Sequence, residues 1–300
     1  MSNIKIVHVS HLGGIDAAYR MPMPYDPSKP TLVLINAFTT TSELFTEQFG
    51  NPQLTSNMNL LAIELLGHGQ TRTAREHWTY WDSAEMNLQV LDMLGIEKAF
   101  VLGTSQGGWV AVQMALMCPD KVLGIIPIGT SLDAESERSR QLHCWEGPDI
   151  LKPFIEQWTS TRITPEFEPD TAYCDALIDI GFNECSAETR EFWREIIRSS
   201  YLGDDGRRRI RMAGINLVER GGLYWRLSDV QCPVMWLHGT KDAVFSVANA
   251  MEAIRRFTSS PDAQLIALEG GAHFLNCSNA SEVDEAVLEF VTKHKDYLLP

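Results

Sequence analysis

Three hundred residues with 44% hydrophobic side chains describe a globular chain with ample material for a buried core, as one large domain or two small ones. A formal net charge of −14 excludes a general affinity for nucleic acid or anionic membrane, because both need clustered positive charge. The first residues lack an apolar signal core and no apolar stretch is long enough to cross a bilayer, so a cytoplasmic location is expected.

Ile4 to Ser10 alternates in polarity and leads through Gly13-Gly14 to Ile15–Met21, the pattern of an antiparallel hairpin. Four prolines between Pro22 and Pro30 keep the next segment extended. Thr31–Asn36 is a continuous apolar run, the mark of a parallel strand covered on both faces, and Asn59–Glu64 is another. The glycines of Leu65-Leu-Gly-His-Gly-Gln-Thr71 suit a tight bend, so His68 is read as structural. Thr79 and Asp82 are start signals for a helix to Leu94 that places Trp81, Ala84, Leu88, Leu91 and Leu94 on one face.

Ala99–Thr104 is an apolar strand that stops at Ser105, between Gly103 and Gly107, and a helix with small residues at 107, 111 and 115 follows to Met117. Reversing direction so sharply strains the serine backbone, and side chains two positions to either side would collide, hence the glycines. The turn lifts a hydroxyl clear of the sheet at a helix N-terminus, where free N–H groups stabilise an oxyanion. A strand, Gly-x-Ser-x-Gly and a helix make the nucleophile elbow, and here the sequence resembles the α/β-hydrolase family.

Val122–Gly129 supplies a further strand. Residues 132–227 break the strand–helix rhythm with helical, aromatic-rich sequence, and their position matches the helical cap of the family. Most of these rings are expected to pack the cap core, with Trp145, Trp158 and Trp193, and Phe274 beyond the cap, as candidates for the substrate pocket. The basic run Arg207–Arg211 is read as a solvated surface segment. Strands at 233–238 and 263–268 end in turns carrying Asp242 and His273, and a last amphipathic helix includes Val283, Val287 and Phe290.

A serine hydroxyl is a poor nucleophile near neutral pH; it needs a neutral imidazole to take its proton and a carboxylate to fix that imidazole's tautomer. Ser105, Asp242 and His273 fall in the family's order at strand ends, where open α/β sheets bind ligands. Asp133 is the second candidate for the acid. The resemblance implies oxyanion donors at the backbone N–H groups of Phe38 and Gln106, although Asn36-Ala37 stands where the family has His-Gly. It also implies an α/β fold with a mostly parallel, roughly eight-stranded sheet flanked by helices, residues 1–131 and 228–300 forming the core and 132–227 the cap.

The expected activity is acyl transfer to water on a carboxylic ester or lactone of a medium-sized apolar or aromatic substrate. Carbon–carbon bond hydrolysis, acyl transfer to other acceptors and a ligand-binding receptor that keeps the triad remain open on the same scaffold. The histidines form no HExxH or His/Cys cluster at ligand spacing, so neither metal nor other cofactor is expected. Six cysteines in no CxxC pair read as reduced thiols, and the sequence sets no oligomeric state.

Overall fold

The computed structural model describes residues 4–296. Its sheet begins with the hairpin β1 (Lys5–Val9) and β2 (Ile15–Arg20), followed by β3 (Thr31–Ile35), β4 (Asn59–Ile63), β5 (Arg72–Thr73), β6 (Ala99–Thr104), β7 (Val122–Ile128), β8 (Val234–Gly239) and β9 (Ala263–Leu268). Eight strands run in the order β1-β2-β4-β3-β6-β7-β8-β9, and β5 pairs with β2 as a ninth. Neighbours from β4 through β9 are parallel, whereas β2 pairs antiparallel with β1, β4 and β5. The expected α/β class and sheet are thus observed, with β5 as the addition. Two residues carry no periodicity, which is why β5 leaves no trace in the sequence.

Alternation along the strands feeds two cores. Val33, Ile35, Val101 and Trp236 face the helices Tyr80–Met93, Gln106–Met117 and Val247–Ile254. Leu32, Leu34, Leu102 and Leu237 face the helix Ala280–His294 and the segment between β7 and β8. Thr79 and Asp82 form the expected capping box. Trp81, expected on the buried face, is 37% exposed at the first turn of that helix.

Between β7 and β8 the described helices are Glu137–Gln141, Gly147–Gln157, Thr171–Phe182, Ala187–Ser200 and Gly203–Glu219. The basic run is only in part the solvated face expected: Arg208 is exposed, whereas Arg207 and Arg209 are buried. Arg207 donates to the Trp158 carbonyl at 2.6 Å, Thr164 Oγ1 and Asp204, and Arg209 reaches Asp205 and the Ser200 carbonyl at 2.7 Å, so both are buried. Buried guanidinium groups need partners for their donors, and backbone carbonyls and carboxylates supply them here. No helix among the described residues is long and apolar enough to cross a membrane.

Candidate active site

β6 delivers its chain to Ser105, whose φ of +55° and ψ of −119° lie in a region that side chains rarely occupy. The Ser105 N–H donates to the Ile128 carbonyl at 2.8 Å, so the turn is anchored to β7. A Cβ on Gly103 would sit 2.0 Å from the Gly107 oxygen, and one on Gly107 would sit 2.3 Å from the Ile35 oxygen. Both glycines are therefore required by close backbone approach.

Asp242 follows β8, and its side chain is fully buried. Its Oδ1 accepts from the backbone N–H groups of Val244 at 2.7 Å and Phe245 at 3.0 Å. His273, in the turn after β9, donates from Nδ1 to both carboxylate oxygens at 3.0 Å. Burial acts to raise the Asp242 pKa, but His273, His238 and the Phe245 N–H outweigh it and hold the carboxyl below the usual carboxylate range. Asp133, the other candidate acid, instead accepts from the Ser136 hydroxyl at 2.7 Å.

Two groups beside Asp242 carry no sequence signature. His238 donates from Nε2 to the Phe245 carbonyl at 2.8 Å and lies 3.5 Å from Asp242 Oδ2. Burial lowers its pKa, so it stands neutral against the acid. Gly129, at φ +51°, passes so near that a Cβ would sit 2.6 Å from the His273 oxygen and 3.1 Å from Asp242 Oδ2.

Asn36, at the end of β3, takes the place of the family's histidine and stitches the loop that carries Phe38. Its amide donates to the Ala37 and Thr40 carbonyls at 3.1 and 2.8 Å, and its Oδ1 accepts from the Leu65 N–H at 3.1 Å. The Thr40 hydroxyl also donates to the Ala37 carbonyl, at 2.8 Å. Glycine is not needed at 37, because Ala37 does not take a positive φ.

Gln106 opens its helix, so its N–H has no partner within that helix. Its side chain is clamped: Oε1 accepts from the Tyr80 hydroxyl at 3.0 Å, and Nε2 donates to His68 Nε2 at 2.8 Å. His68 Nδ1 donates to the Leu66 carbonyl at 2.9 Å, which sets its neutral tautomer, and burial lowers its pKa to about 4. The structural reading of His68 stands, with a partner that spacing did not suggest.

Ser105 and His273 lie on the wall of one apolar cavity with Phe38, Trp145, Phe274, Phe154, Tyr173 and Phe245, among others. Trp158 and Trp193 do not line it. Trp158 lies behind, stacked on Phe154 at 6.0 Å and edge-on to Tyr173 at 4.9 Å, while Trp193 packs with Phe182. Which rings face the cavity is set by how the helices dock, so no local pattern distinguishes Phe154, Tyr173 and Phe245 as wall residues. Trp145 is held in the wall by Glu135, which accepts from its Nε1 at 3.2 Å. Glu135 also forms a buried ion pair with Arg220 at 2.7 Å, and the Arg220 guanidinium lies 4.6 Å over the Trp109 ring.

A family model described as alpha/beta hydrolase fold matches residues 30–280. The chain belongs to the α/β-hydrolase family. Among curated relatives of this hydrolase is the dihydrolipoyllysine-residue acetyltransferase component of the acetoin cleaving system of Pseudomonas putida, 23% identical over 88% of the chain. The match spans 64% of that relative's length. The pimeloyl-[acyl-carrier protein] methyl ester esterase of Edwardsiella ictaluri is 25% identical over 87% of the chain and 93% of its own length. The crystal structure of the enol-lactonase from Burkholderia xenovorans LB400 superposes with a TM-score of 0.75 at 18% identity, covering 95% of this hydrolase and all of that chain.

Proposed function

We propose that this hydrolase cleaves a carboxylic ester or lactone of a medium-sized apolar or aromatic substrate through an acyl-enzyme on Ser105. The observation that carries this reading is the buried Asp242 carboxylate accepting from His273 Nδ1 at 3.0 Å, with His273 and Ser105 sharing one apolar cavity. That hydrogen bond leaves His273 Nε2 as the lone-pair nitrogen, which suits a general base.

Ser105 Oγ attacks the carbonyl carbon as its proton passes to His273 Nε2. The N–H groups of Phe38 and Gln106 hold the developing oxyanion. The imidazolium, balanced by Asp242, gives its proton to the departing alkoxide, and the acyl group stays on Ser105. Water then delivers hydroxide to the acyl carbon, its proton going to His273, and Ser105 leaves with that proton restored.

Apart from His273, no carboxylate or basic side chain among the described residues lines the cavity, so the group it receives is uncharged. Its volume of about 50 Å³ admits a short acyl group with the helices as they stand. Residues 132–227 act as the cap, and longer acyl chains require it to yield. The esterase and enol-lactonase named above support the ester and lactone arms. The six cysteines, none in a disulfide, support the reading of a reducing compartment.

The test is an activity profile across nitrophenyl esters of graded acyl length and across lactones, with Ser105→Ala as control. Turnover highest for short uncharged acyl groups and abolished in the control is expected. Undiminished turnover in Ser105→Ala contradicts the proposal.

A further inference from the structure

Thr39 follows Phe38 and sits at φ +50°, a left-handed conformation that a β-branched residue holds only when its surroundings impose it. Its hydroxyl lies 2.8 Å from the Tyr173 hydroxyl, and both residues are buried. Tyr173 comes from a distant part of the chain, on the cap helix Thr171–Phe182, whose start is fixed by Asp170 accepting from the Tyr173 N–H at 2.7 Å. Its ring is wedged edge-on against Trp158 at 4.9 Å and Phe154 at 5.2 Å, and it lines the cavity. One phenol thus touches the strained loop with its hydroxyl and forms the substrate wall with its ring.

We infer that Tyr173 is a positioning residue: its hydrogen bond to Thr39 holds the loop in the conformation that aims the Phe38 N–H at the carbonyl on Ser105. The inference rests on the ester-hydrolase reading above and extends it. Asn36 and Thr40 stitch the loop from the core side, and the Tyr173 hydroxyl fixes it from the cap side. The oxyanion hole is then complete only with this cap helix docked, which couples a filled, closed pocket to a competent catalytic centre. Such a contact leaves ground-state binding to the ring and acts on the transition state, where the oxyanion forms.

Tyr173→Phe removes the hydroxyl and keeps the wall. On a short-chain nitrophenyl ester its kcat falls about 10-fold or more while KM moves less than about 3-fold, the split expected when a transition-state contact is lost. Thr39→Val, made from the opposite side of the same bond, shows the same split, and Thr39→Ser restores kcat. Combining Tyr173→Phe with Thr39→Val costs no more than either alone, because both remove one interaction. Titration with a fluorophosphonate normalises kcat to folded sites, so an unfolded fraction is not counted as a slow enzyme.

Unchanged kcat in Tyr173→Phe, a rise in KM alone, or a Thr39→Ser variant as slow as Thr39→Val overturns the inference while leaving ester hydrolysis intact. A wild-type protein that turns over no ester or lactone overturns the hydrolase reading and this inference with it.

Discussion

The Thr104 hydroxyl donates to the Asn276 amide oxygen at 3.1 Å, tying the residue before Ser105 to the turn that carries His273. Asn276 is fully buried and also donates to the Leu44 carbonyl at 2.8 Å. Ser105 and His273 follow strands separated by β7 and β8, and this bond spans the gap between their loops.

Asn276→Ala is expected to lower stability by about 2–3 kcal/mol, since it orphans the buried Thr104 hydroxyl and leaves the Leu44 carbonyl only the weaker Cys277 thiol donor. Denaturant unfolding measures the loss. Asn276→Leu, of similar volume, recovers none of it if hydrogen bonding rather than packing is what Asn276 supplies.

Gly129→Ala places a methyl group against the His273 carbonyl and the Asp242 carboxylate at a backbone angle that alanine resists. Displacing a catalytic pair by even an ångström costs on the order of 10²-fold, and kcat for a nitrophenyl ester is expected to fall by that much. Circular dichroism should show the fold retained.

His68 gives stability a pH dependence of known sign. Its pKa is depressed in the folded chain from an ordinary 6.5 to about 4, so between those values the unfolded chain binds more protons. Stability is full above about 6.5 and falls as pH drops toward 4, by about 3 kcal/mol from this group. His238, also buried and lowered, adds to the same trend. His68→Gln keeps an acceptor for Gln106 and a donor for Leu66 but does not titrate; unfolding at pH 8 and pH 5 should show a smaller acid loss than in the wild type.

The Glu135–Arg220 pair joins the two ends of the helical segment between β7 and β8, with Glu135 also accepting from Trp145 and Arg220 lying over Trp109. Arg220→Met leaves a buried carboxylate without its cation and is expected to cost about 3–5 kcal/mol, whereas replacing both partners with apolar residues costs far less. Thermal melts of Arg220→Met and of Glu135→Leu combined with Arg220→Met make the comparison.

What could be read from the sequence follows from what is local. Gly103 announces the elbow because the collision it avoids, with the Gly107 backbone, lies within five residues, whereas Gly107 makes room for the distant Ile35 carbonyl; the Thr79–Asp82 box is contained in one turn. Asp242 and His273 are legible because each sits on a glycine-flanked turn after an apolar strand. Gly129 and His238 are silent, since each acts on groups that only the folded sheet brings near, and Asn36 shows only as a departure from the family's histidine, its tie to the Leu65 N–H appearing with the fold. Arg207 and Arg209 mislead for the same reason: a run of charge signals solvent unless carbonyls from Trp158 and Ser200 happen to face it. The choice between Trp158 and Phe154 as a wall residue turns on helix docking, which no short-range pattern encodes.

Exposure of the protein to a fluorophosphonate, followed by peptide mapping, tests the central claim most directly. One adduct per chain on Ser105, absent in Ser105→Ala and greatly slowed in His273→Gln, is the predicted result. A protein that stays unlabelled, or one labelled at another residue while ester turnover persists in Ser105→Ala, would contradict it.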